Sequence, residues 1–371
     1  MKRRDLIKGL ATGMGAAATG GLLAACDRRE APQTIPVHGE PARDWKMVTS
    51  WPRNFPGLGT GAEELATRIT QLSGGRIRVR VFAAGELVPA LEVFDAVAQG
   101  TAEMGHTAAY YWRGKAEAAQ FFTSIPFGMN AQETNAWLYR GDGLALYREL
   151  YAPFGLVPFP AGNSGVQMGG WFNREIRTPD DLRGLKLRMA GLGGEVLRRA
   201  GATIVNLPPG EIFTALQGNV VDAADWVGPY NDLALGLQRA ARYYYWPGWQ
   251  EPSATVECLV NQTAWKSLPE DLKTVVATAC EAANQAMLTE FTARNGQALR
   301  TLREQHDIQL RRFPDAVLAR LRAIADEVLE DLARRDPMTR RIHDSYRSFQ
   351  QDVTAWHALS EAAIYGVRGG A

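Results

Sequence analysis

Residues 185–226 read LKLRMAGLGGEVLRRAGATIVNLPPGEIFTALQGNVVDAADW. The apolar run Leu185 to Met189 predicts a strand, Gly194 to Ala200 a helix, Thr203 to Asn206 a strand, Pro209 to Gln217 a helix, and Val220 to Trp226 another strand. Short strands alternating with helices of this length mean α/β layers built around mainly parallel sheets. The same rhythm runs upstream. Trp45 to Ser50 predicts a first strand stopped by Trp51-Pro52, Gly61 to Ser73 a helix with Leu65, Ile69 and Leu72 on one face, and Arg76 to Phe82 (RIRVRVF) a half-buried strand. Pro89 opens a helix through Ala98, and Gly105-His106-Thr107 closes a further strand. Gly155 to Pro160, Gln167 to Phe172, Tyr243 to Tyr245 and Thr255 to Val260 add more strands, and after about Pro269 the chain turns helical, over Leu272 to Gln305 and Pro314 to Arg334.

The amino terminus carries a different message. Met1 to Lys8 (MKRRDLIK) places a paired arginine, Arg3-Arg4, before a Gly/Ala-rich and weakly hydrophobic run that ends in Leu23-Ala24-Ala25-Cys26. A charged start, an apolar middle and a small-residue cleavage site make an export signal over 1–26, and the twin arginine points to the route for folded proteins. Leu-Ala-Ala-Cys also matches the site at which bacterial lipoproteins are cut and lipidated, so either Cys26 anchors the chain to the membrane or the signal is simply cleaved nearby. Residues 27–43, with Pro32, Pro36 and Pro41, read as a tether. Removing four basic residues and one acid with the signal takes the formal charge from +1 to about −2. A near-neutral mature chain of roughly 345 residues argues against a nucleic-acid partner and suffices for two domains.

Catalytic and cofactor signatures are missing. The histidines (His38, His106, His306, His343, His357) show no metal spacing, and the sequence has no Cys-x-x-Cys, no G-x-S-x-G elbow and no phosphate or dinucleotide glycine loop. Cys258 and Cys280 read as two buried thiols before a disulfide. In open α/β sheets ligands lie beyond the carboxyl ends of strands. Polar residues placed there are Arg188, Asp225 beside Trp226, and Gln167 within Gly165-Val166-Gln167-Met168-Gly169-Gly170-Trp171, with Glu251 after Trp249-Gln250 and the aromatic cluster Tyr110-Tyr111-Trp112. One arginine, two carboxylates, an amide and aromatics suit the binding of a small carboxylate with a hard cation. They do not suit turnover.

On these residues the chain resembles the extracytoplasmic solute-binding subunits of tripartite ATP-independent periplasmic (TRAP) transporters, DctP-type, in the branch that binds 2-oxo acids or lactate. The resemblance covers about residues 45–365. It rests on Phe82-Ala83-Ala84-Gly85-Glu86-Leu87-Val88-Pro89, Gly162-Asn163-Ser164-Gly165-Val166-Gln167-Met168-Gly169-Gly170-Trp171-Phe172, Gly184-Leu185-Lys186-Leu187-Arg188, Asp222-Ala223-Ala224-Asp225-Trp226-Val227-Gly228-Pro229-Tyr230 and Tyr243-Tyr244-Tyr245-Trp246-Pro247-Gly248-Trp249. It implies a periplasmic-binding-protein-like fold, two α/β domains around a ligand cleft with long C-terminal helices. The expected boundaries are 44–163 with roughly 254–300 for the first domain, and 164–253 with roughly 301–371 for the second.

By resemblance, Arg188 pairs with the substrate carboxylate, Tyr111 and Asn163 contact substrate, and Gln167, Asp225, the Trp226 carbonyl and Glu251 hold a bridging sodium or calcium, Gln167 and Trp226 facing the substrate as well. Two departures from the family pattern stand out: Asp225 where Glu is frequent, and Gln250 where a second Trp is frequent. The implied partners are membrane permease subunits and possible homodimers formed through the face of Leu318, Leu321, Ile324, Val328 and Leu332, and the location is the periplasm. The other readings of the sequence are an exported enzyme acting on 2-oxo or 2-hydroxy acids, and a ligand sensor.

Overall fold

The computed structural model describes residues 42–368. The export signal, Cys26 and all but the last two residues of the expected tether lie outside the described residues. The described residues belong to one compact unit.

Among the described residues eleven strands form two sheets: β1 (Arg43–Thr49), β2 (Ile77–Phe82), β3 (Met104–Thr107), β4 (Leu156–Asn163), β5 (Gly170–Phe172), β6 (Lys186–Arg188), β7 (Thr203–Val205), β8 (Ala223–Ala224), β9 (Tyr243–Trp246), β10 (Thr255–Asn261) and β11 (Gln309–Arg312). The first sheet has the order β2-β1-β3-β10-β4 and the second β11-β9-β5-β8-β6-β7. The sheets are mixed: among the described residues five strand pairings are parallel and four antiparallel. β10 runs antiparallel to β3 and β4, and β5 antiparallel to β8 and β9. The physical reason is connectivity. β4 leaves the first sheet straight into β5 of the second, and β9 returns straight into β10, with no helix to reverse the chain direction at either crossing.

The crossing segments 164–169 and 247–254 run side by side. Ser164 N donates to Ala254 O at 3.1 Å, Gln167 N to Glu251 O at 3.0 Å, and Gly169 N to Tyr245 O at 2.8 Å. Gly248 makes this approach possible: a Cβ there would lie 2.1 Å from the Gln167 carbonyl oxygen. A third connection is the 36-residue helix Glu270–Gln305. Its early residues Leu272, Val276, Ala279 and Cys280 pack with β1, β10 and the helix Leu58–Leu72, while Phe291 and Leu302 join the core beneath the second sheet. It therefore straps both halves together. Tyr230 of the second half donates through its hydroxyl to Glu290 Oε1 at 2.8 Å.

Several expected elements are shorter in the structure. The Val220 to Trp226 strand reduces to Ala223–Ala224, the Gln167 to Phe172 strand to Gly170–Phe172, and the Pro89 helix begins only at Val93. Gln167 and Asp225 thus sit on irregular backbone beyond strand ends. The helix Asp315–Ala333 buries Leu321, Ile324, Val328 and Leu332 in the same core as Leu192, Val196 and Leu197, with Leu318 packed against it. That face is covered within one chain, so it is not a free dimer surface. The 23-residue helix Pro337–Leu359, absent from the sequence reading, packs back on the first half, where the Tyr346 hydroxyl accepts from Met129 N at 2.7 Å. Cys258 and Cys280 are free and buried. The neighbouring Cys280 thiol and burial together push the Cys258 thiol well up. No helix among the described residues is long and apolar enough to cross a membrane.

Candidate functional site

Strand register brings the first two charged residues together. β6 pairs in parallel with β8, placing Arg188 opposite Ala224, so the next residue, Asp225, emerges beside the guanidinium. Arg188 is 1% exposed. Its Nη1 donates to the Asp225 carbonyl at 2.6 Å and lies 4.0 Å from Asp225 Oδ2, its Nε donates to Leu207 O at 3.3 Å, and its Nη2 has no partner. The guanidinium lies 5.5 Å from the centre of the Trp226 ring, a cation–π contact that fixes the fork's plane.

The crossing segments supply the rest. Gln250 Nε2 donates to Asp225 Oδ1 at 2.9 Å and to Met168 O at 2.7 Å. Both amide protons are thereby used, and one Asp225 oxygen is held. Gln167 Nε2 donates to Ser164 Oγ at 3.2 Å, leaving Gln167 Oε1 buried without a partner. Glu251 is buried too, and its Oε2 has no donor. Burial pushes Asp225 up to about 7, with Arg188 opposing and Asp232 adding to the rise. Burial and then the Asp225 charge push Glu251 well above the usual carboxylate range, again against Arg188. Two carboxylates ionised beside one guanidinium would leave an excess of negative charge where water cannot screen it, and the site resists that by holding their protons.

The opposite wall comes from the first sheet. Trp51 follows β1, and Tyr110 and Tyr111 lie in the 3₁₀ turn Ala109–Trp112 after β3. Trp51 and Tyr111 are 6.4 Å apart between ring centres, and Phe55 meets Trp226 edge-on at 5.9 Å. The Tyr111 hydroxyl is buried without a partner. Burial raises its pKa, and Arg188 is close enough to pull it back down. Trp51 itself is fixed from behind, since its Nε1 donates to His106 Nδ1 at 2.8 Å. Together with Thr123, Gln167, Trp226 and Thr255, Trp51 and Tyr110 line a cavity with only about 20 Å³ open to water centres. That is room for about one or two waters.

Arg188, Gln167, Asp225, Trp226, Glu251 and Tyr111 therefore converge. Asn163 stands apart in its bonding. Its Oδ1 accepts from Gly165 N at 2.8 Å and its Nδ2 donates to Ser253 Oγ at 3.0 Å, so both ends of the amide fasten the two crossing segments to each other. The sequence reading missed Gln250 as the partner of Asp225 and Trp51 as a wall. Trp51 was accessible to the strand-end rule that found Arg188. Gln250 was not, because its role depends on a contact across the crossings.

No group of three or more His, Cys, Asp or Glu among the described residues is arranged to hold a metal. The expected set has only two carboxylates and completes itself with neutral oxygens. The fit is supported by the partnerless Gln167 Oε1 and Glu251 Oε2, both hard oxygen donors beside uncompensated charge.

Residues 47–336 match the family model described as bacterial extracellular solute-binding protein, family 7 (DctP). The chain belongs to the DctP family. A monocarboxylate 2-oxoacid-binding periplasmic protein of Nostoc is 44% identical over 323 residues, 87% of this chain and 88% of that protein. A TRAP transporter solute-binding protein of Bordetella bronchiseptica superposes with a TM-score of 0.87 at 38% identity, covering 89% of this chain and 98% of that one. It is described as a mixed-occupancy dimer with copurified calcium and picolinate in the active site versus an apo site. A TRAP periplasmic solute-binding protein of Pseudoalteromonas atlantica, with bound sodium and pyruvate, superposes with a TM-score of 0.86 at 40% identity, covering 88% and 99%. This DctP-type chain is accordingly a solute-binding subunit of a TRAP transporter and not an enzyme.

Proposed function

We propose that the protein captures a small 2-oxo or 2-hydroxy monocarboxylate, pyruvate-like or lactate, with a bridging sodium or calcium ion, and presents it to the membrane permease subunits. The observation that carries this reading is a set of buried atoms lacking partners on neighbouring residues: a donor, Arg188 Nη2, and acceptors, Gln167 Oε1 and Glu251 Oε2. Native proteins rarely leave such atoms unpaired, and the cost of each is about 1–3 kcal/mol. A monocarboxylate and a hard cation satisfy donor and acceptors together.

Arg188 takes one carboxylate oxygen through its free Nη2 while its Nη1 stays on the Asp225 carbonyl. Gln167 Oε1, the Asp225 oxygen not held by Gln250, the Trp226 carbonyl and Glu251 Oε2 hold the cation. When bound, that ion supplies a Lewis-acidic centre which a 2-oxo or 2-hydroxy acid chelates through a carboxylate oxygen and its C2 oxygen. Picolinate and pyruvate share this arrangement of a donor atom next to a carboxylate, which links the ligands described for the two solved relatives. Charge favours calcium: it cancels one more of the negatives contributed by Asp225, Glu251 and the ligand after Arg188 has offset the first. Trp51, Tyr110 and Tyr111 exclude water and receive the short alkyl tail.

Ligand contacts come from both halves, so binding energy is realised in full only when 44–163 with 254–300 closes on 164–253 with 301–371. Export and lipid attachment at Cys26 complete the reading. The mass of protein recovered from membranes tests that part. Ligand choice is tested by thermal unfolding with pyruvate, 2-oxobutyrate, lactate and acetate, each with calcium. The chelating acids raise the midpoint and acetate does not. An equal rise with acetate contradicts the chelate.

A further inference from the structure

A second charged groove lies away from this site. It is lined by Arg113, Glu117 and Gln120 from the segment after β3, by Glu195, Arg198 and Arg199 from the helix Gly191–Arg199, and by the end of the helix Asp315–Ala333, with about 330 Å³ open to water centres. Its four arginines, Arg335 being the last, outnumber its two glutamates. Arg335 pairs with Glu117, Arg198 with Glu195 at 2.6 Å, and Arg199 with Glu195 at 3.1 Å and Asp331 at 2.6 Å. Arg113 makes no ion pair among the described residues and is exposed on the rim. Gln120 is 4% exposed. Its Nε2 is tied to Glu117 O at 3.0 Å, and its Oε1 is buried with no partner.

We propose that this groove binds inorganic hydrogen phosphate, a small tetrahedral oxyanion that carries a hydroxyl, and that its occupancy favours ligand capture. Guanidinium forks match tetrahedral oxyanions in shape and charge. The net positive lining attracts the anion, and Arg113 is the fork left over for it. The Gln120 acceptor adds selectivity, because hydrogen phosphate offers it an O–H and sulfate does not. The groove also bridges the two halves. Arg113 directly follows the Tyr110-Tyr111-Trp112 turn, and the helix Gly191–Arg199 starts against the Tyr110 ring, where a Cβ on Gly191 would lie 3.1 Å from it. An anion gripped by both segments holds them in the approach that shuts the monocarboxylate site. This coupling, though not the anion site itself, rests on the function proposed above. By linkage the effect is reciprocal.

The test is thermal unfolding of the full protein in inorganic phosphate, glycerol phosphate and sulfate at matched ionic strength in sodium buffer, followed by calorimetric pyruvate titration with and without phosphate. Phosphate is expected to raise the unfolding midpoint more than sulfate, and to tighten pyruvate binding about fivefold or more, the low end of ordinary coupling. Arg113→Ala combined with Arg198→Ala should abolish both effects, and Gln120→Leu should erase only the preference for phosphate over sulfate. Glycerol phosphate, whose dianion at neutral pH has no hydroxyl on phosphorus, is expected to shift the midpoint as sulfate does, and a shift equal to that of phosphate overturns the role of Gln120. Equal shifts by phosphate and sulfate, or shifts unchanged in the double variant, overturn the proposal. Failure of pyruvate to bind while the phosphate shift persists contradicts the proposed function and leaves the anion site standing.

Discussion

Glu257 and Glu251 flank the same stretch of chain, and both are buried, yet they live in opposite worlds. Glu257, on β10, accepts from Trp112 Nε1 at 2.7 Å, from Tyr151 OH at 3.1 Å and from the Tyr147 hydroxyl. Glu251, on the crossing just before β10, has an oxygen with no donor at all and a second carboxylate beside it. Asp232 sides with Glu257, taking Trp171 Nε1 at 3.0 Å and the Tyr244 hydroxyl at 2.7 Å. A buried acid surrounded by donors is architecture, fastening elements to one another. A buried acid without them, next to an equally unfinished arginine and amide, is a site awaiting something from outside.

The sharpest break of this comparison is Arg188→Ala. Truncating one member of a buried charged cluster costs about 2–5 kcal/mol, so pyruvate affinity in calorimetry should fall at least about thirtyfold. Next comes Glu257→Ala, which orphans three aromatic donors in the core and should lower stability by about 3 kcal/mol in denaturant titration. Ligand affinity of the folded fraction should change far less. Glu251→Gln should do the reverse. It replaces a buried carboxyl whose ionisation burial and Asp225 both oppose with a neutral group of the same shape, so the cation-free protein is at least as stable as wild type, while cation affinity drops about tenfold or more. If Glu251→Gln destabilises like Glu257→Ala, the two acids are of one kind and the distinction fails.

The smallest effect is a slope with pH. Burial raises Glu257 to about 7, against the hydrogen bonds from Tyr147, Trp112 and Tyr151. The folded protein therefore holds this proton more tightly than the unfolded chain does. The stability Glu257 contributes is fully present below about pH 4.5 and is lost as pH rises through about 7. His106 runs the other way, since burial depresses it to about 4 and its contribution is lost as pH falls from about 6.5 toward that value. Comparing wild type with Glu257→Gln at pH 5 and pH 8 isolates the first slope: the wild type should lose ground to the variant on going to pH 8.

Much of this was legible in the sequence. Strand, helix, strand over 185–226 gave the α/β class, and the strand-end rule found Arg188 and Asp225, which register then places side by side. Mixed sheet polarity was not legible, because it follows from where the chain crosses between sheets. Strand lengths near 170 and 223 were overestimated, since apolar alternation continues into irregular backbone that pairs with nothing in the ladder. Gln167 and Glu251 showed as a polar residue among glycines and an acid beside Trp249. Their lack of partners is a property of three-dimensional packing, as is the hold of Gln250 on Asp225.

The most direct test of the central claim is a calorimetric titration of pyruvate into protein stripped of metal, repeated after restoring calcium and, separately, sodium. The account predicts no measurable heat of binding in the stripped protein, and tight one-to-one binding once a cation is restored, stronger with calcium. Equal affinity with and without cation would contradict it, for then the free oxygens of Gln167 and Glu251 would be waiting for something else.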